Sequence, residues 1–249
     1  LNCGILQCGG DLYCPTIAAI SQSMNYFAHA HRILLAGDAD PYFLAGLAVP
    51  DWLNVVARRT KCRTKHVEPY LGAPDVRASA LAGGIAQHHH DDLWFHSTKV
   101  FTQLSLEFAR RLKQTLADQS DLRAGFLGHI LVELLLDAEL VSNNRSLLDD
   151  YYVKIDQVEA EWLSAQVEQM AGKPVGRLAE LIPRFVDERF LYDYGEDLPL
   201  CYRLNQVLNR VGLPQLPGQF VQVLPSMREE VHRHQNRLLS EPADAMRLK

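Results

Sequence analysis

Between Gly84 and His96 the chain reads GIAQHHHDDLWFH, with three adjacent histidines, two aspartates and a fourth histidine. Imidazole nitrogens and carboxylate oxygens are the donors that hold zinc and similar divalent ions, so the question is which of these six can meet at one point. On an α-helix each residue advances about 100°, which places His88 about 40° to one side of Asp92 and His96 about 40° to the other. His89, about 60° from Asp92, is a substitute, and His90 points roughly the opposite way. The spacing predicts a metal stripe of His88, Asp92 and His96.

A second pair follows in GHILVELLLD, where His129 and Glu133 stand four residues apart and Asp137 continues the face one turn on. His29 and His31 flank Ala30, and residues two apart on a helix cannot both face one ion, so one of them is expected to be a ligand. Asp51 follows Pro50 at an expected helix break, from which a loop carboxylate can reach an ion. His66 ends the basic run ARRTKCRTKH, whose Arg58, Arg59 and Lys65 are candidates for holding a substrate phosphate. A lone histidine is more often a hydrogen-bonded or solvated side chain, but eight of the ten histidines lie between His29 and His129, interleaved with aspartates on apolar segments. Packing alone does not explain that concentration, because charged groups are seldom buried unless paired or bound to metal.

The elements that must position these residues read as helices throughout. MNYFAHAHRILLAG is a short amphipathic segment that Gly37 can end; Pro41 is placed to open the next helix and Pro50 to interrupt it. From Pro74 to Gln119 the period stays helical, and DLRAGFLGHILVELLLDAELV is apolar nearly all round, as a central buried helix would be. DYYVKIDQVEAEWLSAQVEQM, VGRLAELIPRFVDERFLYDYG, LPLCYRLNQVLNRVG and REEVHRHQNRLL complete the chain, with no alternating strands and no glycine-rich phosphate loop. The expectation is an all-α, single multi-helix domain with a buried metal-binding helix core over residues 24–143. Residues 144–249 then form carboxy-terminal helices packed on that core, as part of the domain or as a cap.

Bulk composition narrows the class. Of 249 residues, 47% are hydrophobic and 22% charged, the balance of a globular protein with a sizeable core. The net charge of −5 argues against general nucleic-acid binding. Five scattered cysteines without a C-x2-C pair argue against a disulfide scaffold, and the apolar runs are too short to span a membrane, so a cytoplasmic location is expected. The first 23 residues contain no Lys or Arg and no sustained period, and are read as an artefactual or disordered leader before a natural start at Met24.

MNYFAHAH resembles the opening of the acyl carrier protein phosphodiesterases, helical metal enzymes related to the HD-type phosphohydrolases, and GIAQHHHDD resembles their segment with a His and an Asp four residues apart, here His88 and Asp92. Their later helix carries two acids at this spacing, where this chain has His129 and Glu133. That departure is similar to the zinc-dependent phospholipase C and P1-type nuclease group, whose ligand order His29, Asp51, His66, His88, Asp92, His96, His129 and Glu133 would meet. The resemblance covers about Met24 to Asp137.

It implies a metal-dependent phosphodiesterase holding two divalent ions, zinc first and manganese or iron as alternatives, with Asp92 as bridging ligand and Asp92 and His129 in catalytic roles. Asp91, Asp137 and the unused histidines would orient ligands or shuttle protons. The implied substrate is a phosphodiester such as phosphopantetheinyl-serine on an acidic protein, a nucleotide or a phospholipid head group. The carboxy-terminal helices would serve as lid, substrate wall or homodimer surface. The alternative on the same residues is a metal-binding helical interaction module without turnover.

Overall fold

The computed structural model describes residues 26–37, 39–116 and 123–241. The reading of residues 1–23 as a leader and of Met24 as a start lies outside the described residues. Within them the chain is a single all-α domain, with no strand. Its α-helices are α1 (Tyr26–Ala36), α2 (Pro41–Val56), α3 (Thr64–Val67), α4 (Val76–Ser97), α5 (Lys99–Thr115) and α6 (Ala124–Asn143). The second half adds α7 (Arg145–Asp156), α8 (Ala160–Ala171), α9 (Leu178–Glu188), α10 (Asp197–Arg210) and α11 (Leu224–Leu238), with a 3₁₀ segment at Phe190–Gly195. No helix among the described residues is long and apolar enough to cross a membrane.

The central helix is α6, buried on nearly every side as its composition predicts. Helices α5 and α11 pack on one flank, α1 and α7 on another, and the 3₁₀ segment closes over it. The carboxy-terminal helices therefore belong to the same core. Large apolar side chains fill it, with Trp52, Tyr151, Phe27, Phe95 and Phe108 almost fully buried; each such side chain contributes roughly 1.5–3 kcal/mol by leaving water.

Three local features differ from the sequence reading. Pro50 does not interrupt α2, which runs through it to Val56, so Asp51 is helical and buried. A proline inside a helix costs the bond to the carbonyl four residues back and about 3 kcal/mol, and the burial of Leu47, Val49, Trp52 and Leu53 offsets that here. The expected helix from Pro74 to Gln119 is broken at Thr98, whose extended backbone and hydroxyl, accepting from Phe101 N at 3.3 Å, cap the start of α5. In the second half, the segment running from Asp150 to Met170 divides into α7 and α8.

Helices α2 and α4 make the closest crossing, and glycine permits it. A Cβ on Gly84 would stand 2.1 Å from the Phe43 carbonyl oxygen, and one on Gly46 would stand 2.4 Å from that of Leu81. Backbone lies against backbone, so neither side can yield by a rotamer change. Gly84→Ala is expected to destabilise the protein by at least about 3 kcal/mol, at the upper end for overpacked cores, and to disturb the metal stripe one turn further along α4. Urea unfolding against wild type measures the loss, and a change below about 1 kcal/mol would mean that this crossing is looser than described.

Candidate metal centre

Crossing at those glycines lays α4 alongside α2, and the carbonyl oxygen of Leu47 then meets His88 Nδ1 at 2.8 Å. This carbonyl follows the one whose helical partner Pro50 removes, so the distortion of α2 and the anchoring of His88 are neighbours in the chain. With Nδ1 held, His88 Nε2 points at Asp92 Oδ2, 3.2 Å away on the same helix. Helix α1 brings His29 to stack on His88 with ring centroids 4.2 Å apart. Its Nδ1 lies 3.3 Å from Asp91 Oδ2, and its Nε2 faces Asp92 Oδ1 at 3.6 Å.

Asp137 explains how α1 is placed. Its fully buried carboxylate on α6 accepts from the backbone N–H groups of Phe27 and Ala28, at 3.1 and 2.7 Å, and so caps the first turn of α1 from another helix. Burial raises its pKa to about 8 against the pull of those two donors. Asp137 is thus a positioning residue for His29.

The second group forms where α4 ends. His96 Nε2 lies 2.8 Å from Glu133 Oε1, and His129 Nε2 lies 3.1 Å from the same oxygen. The two imidazoles stack at 4.9 Å, and Phe101, turned back by the break at Thr98, packs edge-on against both, at 4.8 and 4.7 Å.

The expected stripe therefore divides between two groups, His29–His88–Asp92 and His96–His129–Glu133, in each of which the donor atoms lie within 4.8 Å of one another. Both oxygens of Asp92 face the first group. Of the pair His29 and His31, the structure brings in His29; His31 stands half-buried against Phe27. His66 joins neither group and instead accepts Arg63 N at Nδ1, 3.3 Å, at the start of α3. His89 and His90 turn aside, to the Cys62 carbonyl at 2.7 Å and to Glu241 at 2.9 Å.

Asp91 acts behind the first group, its oxygens shared by His29, Gln87 Nε2 at 2.8 Å and Trp94 Nε1 at 3.3 Å. Asp51 belongs to neither three-residue group but lies near enough for its charge to act on His88.

The chemistry of the donors fits divalent cations. Two atoms bound tetrahedrally to one zinc stand about 3.4 Å apart, given Zn–N and Zn–O bonds of about 2.0–2.2 Å, and the facing pairs of the first group span 3.2 and 3.6 Å. The buried Nε2 atoms of His29 and His129 face carboxylates yet complete no hydrogen bond, an unusual cost for native structure. Burial alone would lower the His88 pKa, but the charge and hydrogen bond of Asp92, with Asp51 and Leu47 behind them, hold it at about 9. Burial opposes and Glu133 overcomes in the same way at His96, whose pKa is raised. Both sites thus favour positive charge. Each imidazole of the first group also has its second nitrogen fixed by a carboxylate or carbonyl, the arrangement that orients metal-binding histidines.

A cleft of about 590 Å³ opens beside these groups, with Asp51, Trp52 and Glu133 on its inner side and Arg177, Arg184, Arg203 and Arg210 among its outer residues. The sequence reading did not single out these arginines and took Arg58, Arg59 and Lys65 as the candidates for a substrate phosphate. Those three are exposed and do not line the cleft. Arg203 and Arg210 are seven apart, two turns along one face of α10.

Fold and site together define an all-α protein whose core holds two His₂–carboxylate groups that could bind metal ions. Comparison with protein-family models, with curated proteins and with solved structures finds no match for the chain.

Proposed function

We propose that the protein is a metal-dependent hydrolase of phosphodiesters, holding two ions, with zinc as the first choice. The observation that carries this reading is that each group brings together three His or carboxylate donors within 4.8 Å of one another, and no fourth among the described residues shares that spacing. Structural zinc is closed by four protein ligands, whereas catalytic zinc keeps a position open for water or substrate. His29, His88 and Asp92 would hold one ion and His96, His129 and Glu133 the other.

When bound, the ions supply an acidified water and offset charge on the phosphoryl oxygens. The chain's own part is to fix the donors: Leu47 and Asp91 hold the rings of His88 and His29, Asp137 anchors the helix that carries His29, and Phe101 walls the second group. The cleft gives a phosphodiester access to Glu133, and Asp51 stands beside it with a carboxylate able to orient an attacking water.

Protein purified without an affinity tag is expected to contain about two equivalents of transition metal and to hydrolyse bis(4-nitrophenyl) phosphate, with activity lost on chelation and restored by zinc or manganese. Two bound ions with no turnover of this or of a panel of natural phosphodiesters would leave a metal-binding protein that is not a hydrolase.

A further inference from the structure

Of the two metal groups only Glu133 reaches the cleft, and the cleft's outer wall has a chemistry of its own. Four arginines line it, Arg177 just before α9, Arg184 on α9, and Arg203 and Arg210 on α10, against Glu180 and Glu188 on the same wall, which leaves a surplus of positive charge. They are not equivalent. Arg203 is committed to the wall, bonded to Asp193 at 2.7 Å and stacked over Phe190 at 5.4 Å. Arg177 and Arg184 pair with Glu180 and Glu188 of α9, in contacts well exposed to solvent. Exposed pairs of this kind hold weakly and exchange readily for a better anion.

Arg210 makes no ion pair among the described residues; its Nε donates only to the Gln206 carbonyl, at 3.3 Å. It stands at the end of α10, where Arg58 donates to its backbone carbonyl at 2.8 Å and fixes the helix terminus. Arg210 lines the cleft together with Tyr26, whose hydroxyl feels the charges of Asp51 and of Arg210. Tyr26, Glu133 and Arg210 thus line one and the same cleft.

We propose that Arg210, with Arg184 and Arg177 exchanging their glutamate partners, binds a second phosphate of the substrate, separate from the phosphodiester presented to the metal groups. Arginine suits this task because its planar fork of donors matches phosphate oxygens two at a time. The substrate class is then a phosphodiester carrying a further phosphate, and a simple diester would engage only the inner half of the cleft. That the ligand is a substrate rests on the hydrolase reading above; that the wall binds phosphate does not.

Titration calorimetry of the metal-free full chain with inorganic pyrophosphate, at low ionic strength, tests the wall alone. Wild type is expected to bind saturably, and an Arg184→Gln/Arg210→Gln variant to bind at least tenfold more weakly. A Lys99→Gln/Lys113→Gln variant, which removes the same charge from α5 outside the cleft, is expected to bind like wild type. The proposal is overturned if wild type does not bind, if the arginine variant binds as wild type does, or if the lysine variant weakens binding equally. Pyrophosphate binding without hydrolysis of any phosphodiester would sink the hydrolase reading and leave the subsite standing. Turnover without such binding would do the reverse.

Discussion

Stripping divalent ions from the protein is expected to lower its melting temperature by on the order of 15 °C or more. The carboxylates of Asp51, Asp91, Asp92 and Glu133 are all buried around His29, His88, His96 and His129, and buried charge is costly unless compensated. Ions bound only by the folded state, each present at about a thousand times its dissociation constant, would contribute roughly 4 kcal/mol apiece. For a domain of this size each kcal/mol shifts the midpoint by about 2–4 °C.

The metal-free protein should also respond to pH in a set direction. Folding raises the His88 pKa from 6.5 to about 9, so its pairing with Asp92 stabilises fully below 6.5 and is lost as pH rises through about 9. Differential scanning calorimetry on tag-free protein, before and after chelation and at pH 6 and pH 9, measures both effects. An unchanged midpoint after verified removal of metal would remove the buried-cation argument.

His129→Ala is expected to lower the rate of phosphodiester hydrolysis by more than about 100-fold while leaving the helical fold intact. Disturbing a residue that merely orients a ligand already costs 10- to 100-fold in metal affinity or activity, and His129 supplies one of only three donors in its group. Its side chain lies at the edge of the core, so truncation removes ring contacts with His96 and Phe101 but none of the large apolar side chains around α6, and Glu133 keeps its contact with His96. Native mass spectrometry should find one ion where wild type has two, because His29, His88 and Asp92 remain. Asp91→Asn should be milder, within the 10- to 100-fold range, since it removes a carboxylate that orients His29. Full activity with one ion gone would show that the second group is structural, and two ions retained in His129→Ala would remove it from the ligand set.

Much of this was legible in the chain because helical geometry is local. A period near 3.6 makes α6 a buried helix and sets His88 beside Asp92 and His129 beside Glu133, whatever they later meet. The same arithmetic placed His90 away from the stripe and allowed only one of His29 and His31 to reach it. It could not say which ligands share an ion. His96 follows Asp92 at the same spacing by which Asp92 follows His88, yet it turns to Glu133, because α4 ends at Thr98 and α5 returns to lay α6 across that end. Nor could it say that Asp137, on the face of Glu133, would serve as the cap of α1.

Candidates outside those helical pairs were not legible in the same way. Arg58 caps the end of α10, His66 accepts a local N–H, and Asp51 lies within a helix that a proline was expected to break. Sequence by itself determined an all-α protein and the pairs of donors one helical turn apart, since those follow from torsions and periodicity. Tertiary structure decided how the pairs divide into two groups and which arginines face the cleft beside them. Those outcomes depend on where α2 meets α4 at Gly46 and Gly84, and on which helix ends the rest of the core brings together.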